Sequence, residues 1–149
     1  MKALVTGAGG FLGLFIAEQL VARGDQVRGF CRGAYPELEQ LGVETVRGDV
    51  RRRGDVIAAC RGVDVVFHTA AIAGIGGHWR DFYQTNVVGT RHVLEGCRQQ
   101  GVGRLIYTSS PSVTFDAADQ NGVDERAPYA RRFLAHYPRS KAIAEREVL

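Results

Sequence analysis

The chain has 149 residues, 45% of them apolar and 23% charged, with a formal net charge of +3. That length suits one domain with a hydrophobic core, and the composition excludes a disordered or fibrous chain. No apolar run is long enough for an integral membrane segment, and the Arg51–Arg53 run fits a solvated face, with no nucleic-acid-binding pattern beside it.

The opening "KALVTG" is a compact β-rich run, a strand and not a secretory leader. Phe11, Leu12, Phe15, Ile16 and Leu20 then recur at helical spacing, and Gly24 closes that helix. "QVRGFCR" reads as the second strand and "VETVRGD" as the third; a short helix over about 51–60 leads to a fourth, "VDVVFHTA". The spacing of Tyr83, Val87, Thr90, Leu94 and Cys97 predicts one continuous helix from Trp79 to Gln99. "GRLIYTSS" is the fifth strand. Residues 111–132 lack a period, and a loop that long in a compact domain is functional or mobile. The last helix starts near Pro138 and runs through "SKAIAEREVL".

Strands that are nearly continuous in apolar residues and alternate with helices predict a parallel sheet covered on both faces. Right-handed crossovers make it an α/β, Rossmann-type doubly wound fold with strand order 3-2-1-4-5. Residues 1–149 then form one dinucleotide-binding domain. Cys31, Cys60 and Cys97 are odd in number and far apart, which suits small buried residues in a reducing cytoplasm. The four histidines have no metal spacing, so no metal is expected.

"TGAGGFLG" joins the first strand to the first helix. Gly7 can turn the chain sharply, Gly10 can let a pyrophosphate approach the backbone, and Gly13 can let the helix lie close to the sheet. The free N–H groups of the first turn, at Phe11 and Leu12, then face the phosphates at the positive end of the helix. No Gly-Lys-Ser/Thr ending follows, so this is not a nucleoside-triphosphate loop.

The spacing Gly-x-x-Gly-x-x-Gly, with "HYPRSK" at 136–141, resembles the extended branch of the short-chain dehydrogenase/reductase superfamily. "GDV" at 48–50, "HTAA" at 68–71, "NVVGT" at 86–90 and "YTSSPSV" at 107–113 match that branch in order, over essentially the whole chain. Within it, the sequence is most similar to 3β-hydroxysteroid dehydrogenase-like and dihydroflavonol reductase-like members, and to bacterial 2-alkyl-3-oxoalkanoate reductases. Members of this branch continue into further strands and a C-terminal substrate domain, so the resemblance implies that these are missing from the present chain. It also implies a homodimer pairing the 79–99 helix and the last helix across a two-fold axis.

An acidic residue ending the second strand would bind the ribose 2′-hydroxyl of NAD. Cys31 and Arg32 stand there instead, and a guanidinium suits the 2′-phosphate of NADP. NADP is therefore expected, with NAD the alternative; Arg32 as a solvent-facing residue, or stacked on adenine, is the plainer reading. The resemblance places Asp49 at the adenine amino group with Val50 beside it, and Thr69, Ala70 and Ala71 along the cofactor; Asp49 as a turn residue is the alternative. His68 is expected to pack or hydrogen-bond rather than act as a base.

Tyr137 and Lys141 are four apart and share a helix face. A phenol near pKa 10 exchanges protons poorly at neutral pH unless a cation stabilises its phenolate. Ser110, just past the fifth strand, is the expected holder of the substrate oxygen, with Ser109 the alternative, since only one of the two can point at the pocket. Asn86 resembles the family's asparagine beside the nicotinamide; a plain helix-to-strand hydrogen bond is its alternative. Trp79 and residues 73–79 would rim the substrate pocket, though an aromatic at a helix start is more often core. The expected function is NADP-dependent interconversion of a secondary alcohol and a ketone on a small hydrophobic substrate. A nucleotide-sugar epimerase or dehydratase with tightly bound NAD, and a non-enzymatic NAD(P) sensor, are the alternatives.

Overall fold

Five short strands form the sheet: β1 (Lys2–Thr6), β2 (Gln26–Cys31), β3 (Glu44–Arg47), β4 (Val65–His68) and β5 (Arg104–Tyr107). In this computed structural model, which describes residues 1–117 and 119–149, they lie in the order β3-β2-β1-β4-β5. Every neighbouring pair is parallel, with Leu4 opposite Arg28 on one side and Val66 on the other. The helices are α1 (Phe11–Ala22), α2 (Pro36–Gln40), α3 (Arg53–Ala59), α4 (Trp79–Phe82), α5 (Gly89–Gln100) and α6 (His136–Val148). None is long and apolar enough to cross a membrane.

Alternation along β1 divides the core into two layers. Ala3 and Val5 pack with Ala17 and Leu20 of α1 and Leu38 of α2. Leu4 points the other way, into a layer with Val56 of α3 and Val93 and Cys97 of α5. The covering helices therefore change face between the two halves of the sheet. The change falls between β1 and β4, the switch point at whose carboxyl end open α/β sheets bind ligands.

The expected α/β architecture and strand order are what the structure shows. Helix α2 and the long helix differ from the sequence expectation, while α6 starts where expected. Helix α2 fills what read as a plain connection: Pro36 sits at its start, and Leu38 is fully buried. Helix α6 begins at His136, so Pro138 lies inside its first turn, where an N–H has no intrahelical acceptor. The continuous 79–99 helix is interrupted by a π-helical segment, Tyr83–Val88. Thr90 and Cys97 of the expected stripe, which follow its wider turn, are still buried. Val93, Gly96 and Cys97 face the sheet, while Leu94 of the expected stripe is only half-buried. The helix then ends at Gly101, in the left-handed conformation at φ 68°.

Beyond β5, a 3-10 turn (Pro111–Val113) opens the expected 111–132 loop, and Ala130 N–H returns to Val113 O at 2.9 Å. Residue 118 of that loop lies outside the described residues.

Candidate active site

The glycine turn is constrained on two sides. Gly7 adopts φ 72°, and a Cβ there would stand 2.9 Å from the Ala70 backbone. A Cβ on Gly13 would stand 2.2 Å from Gly7 O. Both positions exclude side chains because backbone already fills the space. Gly10 caps α1 in extended conformation, with its N–H on Gly7 O at 2.9 Å. The N–H groups of Phe11 and Leu12 follow in the first turn, where helices leave donors free. The Phe11 ring itself is 94% exposed.

This turn borders a cavity of about 210 Å³. Gly7 and Gly10 line it from below, Arg32 and Tyr35 follow β2, Asp49 and Val50 follow β3, and Thr69, Ala70 and Ala71 follow β4. Eight of the sequence-expected cofactor residues thus share one cleft. Small residues, a helix N-terminus and bare backbone fit a dinucleotide diphosphate.

At its outer end the cleft is cationic. Arg32 is exposed, and Arg47, paired with Cys31 across β2 and β3, donates Nε–H to Arg32 O at 2.9 Å. Among the described residues, neither guanidinium has a carboxylate partner. Asp49 is committed elsewhere: Arg51 grips both its oxygens, with Nη2 at 2.6 Å, and holds its carboxyl below the usual range. The Tyr35 ring lies over Gly9, where a Cβ would come within 2.2 Å of it.

A buried polar chain runs from the cleft floor to α6. His68 meets Thr6 Oγ1 at 2.7 Å through Nδ1 and Thr90 Oγ1 at 3.0 Å through Nε2. Thr90 donates onward to Asn86 O at 2.6 Å, so its oxygen accepts from His68 Nε2–H. Nδ1 is then the acceptor from Thr6, whose oxygen in turn receives Ala70 N–H at 3.4 Å. The ring is neutral, because burial, reinforced by the Lys141 charge, pulls its pKa down to about 3. His68 thus has the structural role expected of it.

That burial has a measurable consequence. A folded-state pKa below the unfolded value means that the unfolded chain binds the extra proton as pH falls. Stability should therefore decline between pH 6.5 and 5 by about 2 kcal/mol more in the wild type than in His68→Gln. Urea unfolding across that range measures it; equal slopes would contradict the buried neutral ring.

Asn86 sits in the π-helical segment. Its amide accepts from Ile72 N–H at 2.8 Å, and donates to Ile72 O and Ser140 Oγ, both at 2.9 Å. Ser140 donates to Tyr137 O at 2.8 Å. Asn86 therefore clips the segment after β4 to the first turn of α6.

Tyr137 is half-buried one turn before Lys141, which is 4% exposed. Lys141 Nζ donates to Thr108 O and lies 4.0 Å above the Tyr107 ring. Burial brings its pKa down to about 8, opposed by the charge of Glu145. The Tyr107 hydroxyl is buried and has no hydrogen-bond partner among the described residues. Ser110 Oγ meets Ser112 Oγ at 2.8 Å and caps the 3-10 turn, while Ser109 donates to Glu145. Trp79 packs on α6, with its ring centroid 5.7 Å from that of His136 and the Arg139 guanidinium 4.4 Å from its own centroid.

Sequence reasoning missed Tyr35, Arg47, Ser140 and Glu145. Glu145 had a legible signal, since it is four residues beyond Lys141 and eight beyond Tyr137 on one helix face. Tyr35 and Arg47 had none, because only the sheet brings their loops together.

A glycine-cradled cleft at the switch point of a parallel sheet defines a dinucleotide-binding type of domain; Ser110, Tyr137 and Lys141 are not among the residues that line it. The sequence matches the 3-beta hydroxysteroid dehydrogenase/isomerase family over residues 4–149, and the chain belongs to that family, within the extended short-chain dehydrogenases/reductases. It is 48% identical over 147 residues to a 2-alkyl-3-oxoalkanoate reductase of Shewanella oneidensis, covering 99% of this chain and 38% of the relative. It is 37% identical to a 3-beta-hydroxysteroid dehydrogenase of Mycolicibacterium neoaurum, covering 99% and 42%. Among solved structures, the UDP-glucose 4-epimerase of Thermus thermophilus in complex with NAD superposes with a TM-score of 0.87 at 31% identity, covering 99% of this chain and 50% of that one. The chain thus spans half or less of the length of these relatives.

Proposed function

We propose that the whole protein is an NADP-dependent oxidoreductase interconverting a secondary alcohol and a ketone on a hydrophobic substrate, through Ser110, Tyr137 and Lys141. The observation that carries this reading is the position of Lys141. Its ammonium is buried one turn from a half-buried tyrosine, with no carboxylate paired to it among the described residues. Burying an unpaired cation costs stability, so its retention calls for a task.

A nicotinamide bound in the cleft would supply or take up the hydride. During reduction, Tyr137 gives its proton to the carbonyl oxygen, and Lys141 favours the phenolate left behind. Ser110 releases Ser112 and donates its hydroxyl to the substrate oxygen. Gly7, Gly10, Phe11, Leu12 and Gly13 seat the diphosphate, with Val50, Thr69, Ala70 and Ala71 along the cleft; Asp49 is free for the adenine amino group only if it leaves Arg51. The relatives' names point to long-chain 2-alkyl-3-oxo acids or 3-hydroxysteroids as the substrate class.

The cationic outer end supports NADP, because a 2′-phosphate would meet the Arg32 and Arg47 guanidiniums while Arg51 already holds the Asp49 carboxylate. Exchanging Arg32 and Arg47 for alanine together should raise the Kd for NADPH about tenfold or more and leave that for NADH within about twofold. Equal losses for both cofactors would favour NAD. The ion pair of Arg91 with Glu147 at 2.6 Å holds α5 to α6 as one surface, and we take this surface to be the face of a homodimer in the cytoplasm. A monomer in light scattering would remove the dimer.

The likeness to a UDP-glucose 4-epimerase favours a second reading, a reaction that returns the hydride. Stoichiometric NADPH consumption with a 2-alkyl-3-oxo acid or a 3-oxosteroid tests the proposal. Epimerisation without net consumption would replace it, and tight NADPH binding with no turnover across a broad carbonyl panel would favour a sensor.

A further inference from the structure

On the side of the sheet, Lys141 meets groups that leave its ammonium without a counter-charge. From β4 it faces His68, whose pKa lies near 3. From β5 it faces the ring of Tyr107, pushed up by burial, and the carbonyl of Thr108. Tyr137 stands one turn before it on α6 and Glu145 one turn after. Glu145 is half-buried, and Ser109, the residue beside Ser110, donates to its carboxylate. On its far side lies Tyr129, whose ring carries the Arg146 guanidinium at 4.2 Å from its centroid.

We propose that Glu145 is a positioning residue that keeps Lys141 charged and turns Ser109 onto α6, which leaves Ser110 as the serine that serves the substrate. This rests on the oxidoreductase reading above. The two effects come from one carboxylate. Its negative charge, one helical turn from the ammonium in a partly desolvated setting, offsets the burial that would otherwise neutralise the lysine. Its oxygen fixes Ser109 on one side of the extended chain, and alternation directs Ser110 to the other. The open question of which serine serves the site thus has a cause one helix away. Tyr137, Lys141 and Glu145 form a single stripe of proton donor, cation and counter-charge at successive four-residue steps.

The test follows the lysine ε-CH2 signals by NMR across a pH titration of the full-length protein without cofactor. Lys2 is the only other lysine in these 149 residues, and the spectrum of Lys141→Arg identifies the Lys141 signal. Glu145→Gln, which keeps a hydrogen-bond acceptor for Ser109 and loses the charge, should lower the Lys141 pKa by about one unit. Ser109→Ala, which keeps the charge, should leave it within about 0.3 unit, and Glu145→Asp should fall between Gln and wild type. In turnover, the alkaline limb of kcat/KM should move down with the lysine in Glu145→Gln and stay in place in Ser109→Ala. An unchanged Lys141 pKa in Glu145→Gln, or an equal fall in Ser109→Ala, would overturn the proposal. Because the titration needs no substrate, a wild type that reduces no carbonyl would sink the oxidoreductase reading and still leave the charge coupling measurable.

Discussion

Tyr137→Phe in the full-length protein is expected to lower kcat about a thousandfold while leaving the Kd for NADPH within about threefold. The phenol is the group placed to protonate a carbonyl oxygen, and a general acid of this kind contributes about two to four powers of ten. Its removal disturbs little else. The Tyr137 backbone carbonyl, which accepts from Ser140, remains, and so do Lys141 and the glycine turn. Steady-state kinetics and a binding titration on the same preparations separate the two effects. Retained turnover would remove Tyr137 from the chemistry.

Gly13→Ala should destabilise the domain by about 3 kcal/mol or more and abolish dinucleotide binding. The new Cβ would lie 2.2 Å from Gly7 O, 2.8 Å from Gly7 C and 2.9 Å from Ala8 Cα. All three neighbours are backbone, so no side chain can yield. Either α1 lifts from the end of β1 or the Gly7 turn opens, and each movement displaces the first-turn N–H groups. Gly24→Ala makes a useful contrast, because a Cβ there meets nothing within 4 Å and the strain is conformational alone, at φ 86°. Chemical denaturation of both variants should place Gly13→Ala well below Gly24→Ala.

The architecture was legible because its causes are local. Strands such as Leu4–Val5 and Val65–Val66 are apolar on both faces, and parallel sheets require that. The glycine turn was legible because Gly7 and Gly13 are dictated by backbone geometry, which leaves a trace in residue type. The π-helical segment was hidden, because an apolar stripe assumes a constant period and Thr90 and Cys97 beyond the wide turn still fit it, with only Leu94 giving way to Val93. The cationic end was half hidden: Arg32 follows β2 in sequence, whereas Arg47 joins it only through the pairing of β2 with β3. Asp49 showed the opposite fault. Its place in the motif was plain, but its grip by Arg51 depends on side-chain directions that spacing does not encode. The choice of Ser110 over Ser109 rested on motif likeness, and the bond from Ser109 to Glu145 on α6 joins residues too far apart in sequence for spacing to show.

The proposed function requires a dinucleotide diphosphate to rest on the amino end of α1. Gly10→Asp tests it most directly. Gly10 caps that helix at φ −88° and ψ 165°, a conformation open to any residue, and a Cβ there meets only Gly7 O at 3.3 Å. Aspartate is a favoured cap and suits the helix dipole, so the melting temperature should hold or rise. The same carboxylate would occupy the phosphate position and repel it, so calorimetric titration should show NADPH binding to the wild type and at least about a hundredfold weaker binding to Gly10→Asp. A folded Gly10→Asp protein that binds NADPH as tightly as the wild type would contradict the account.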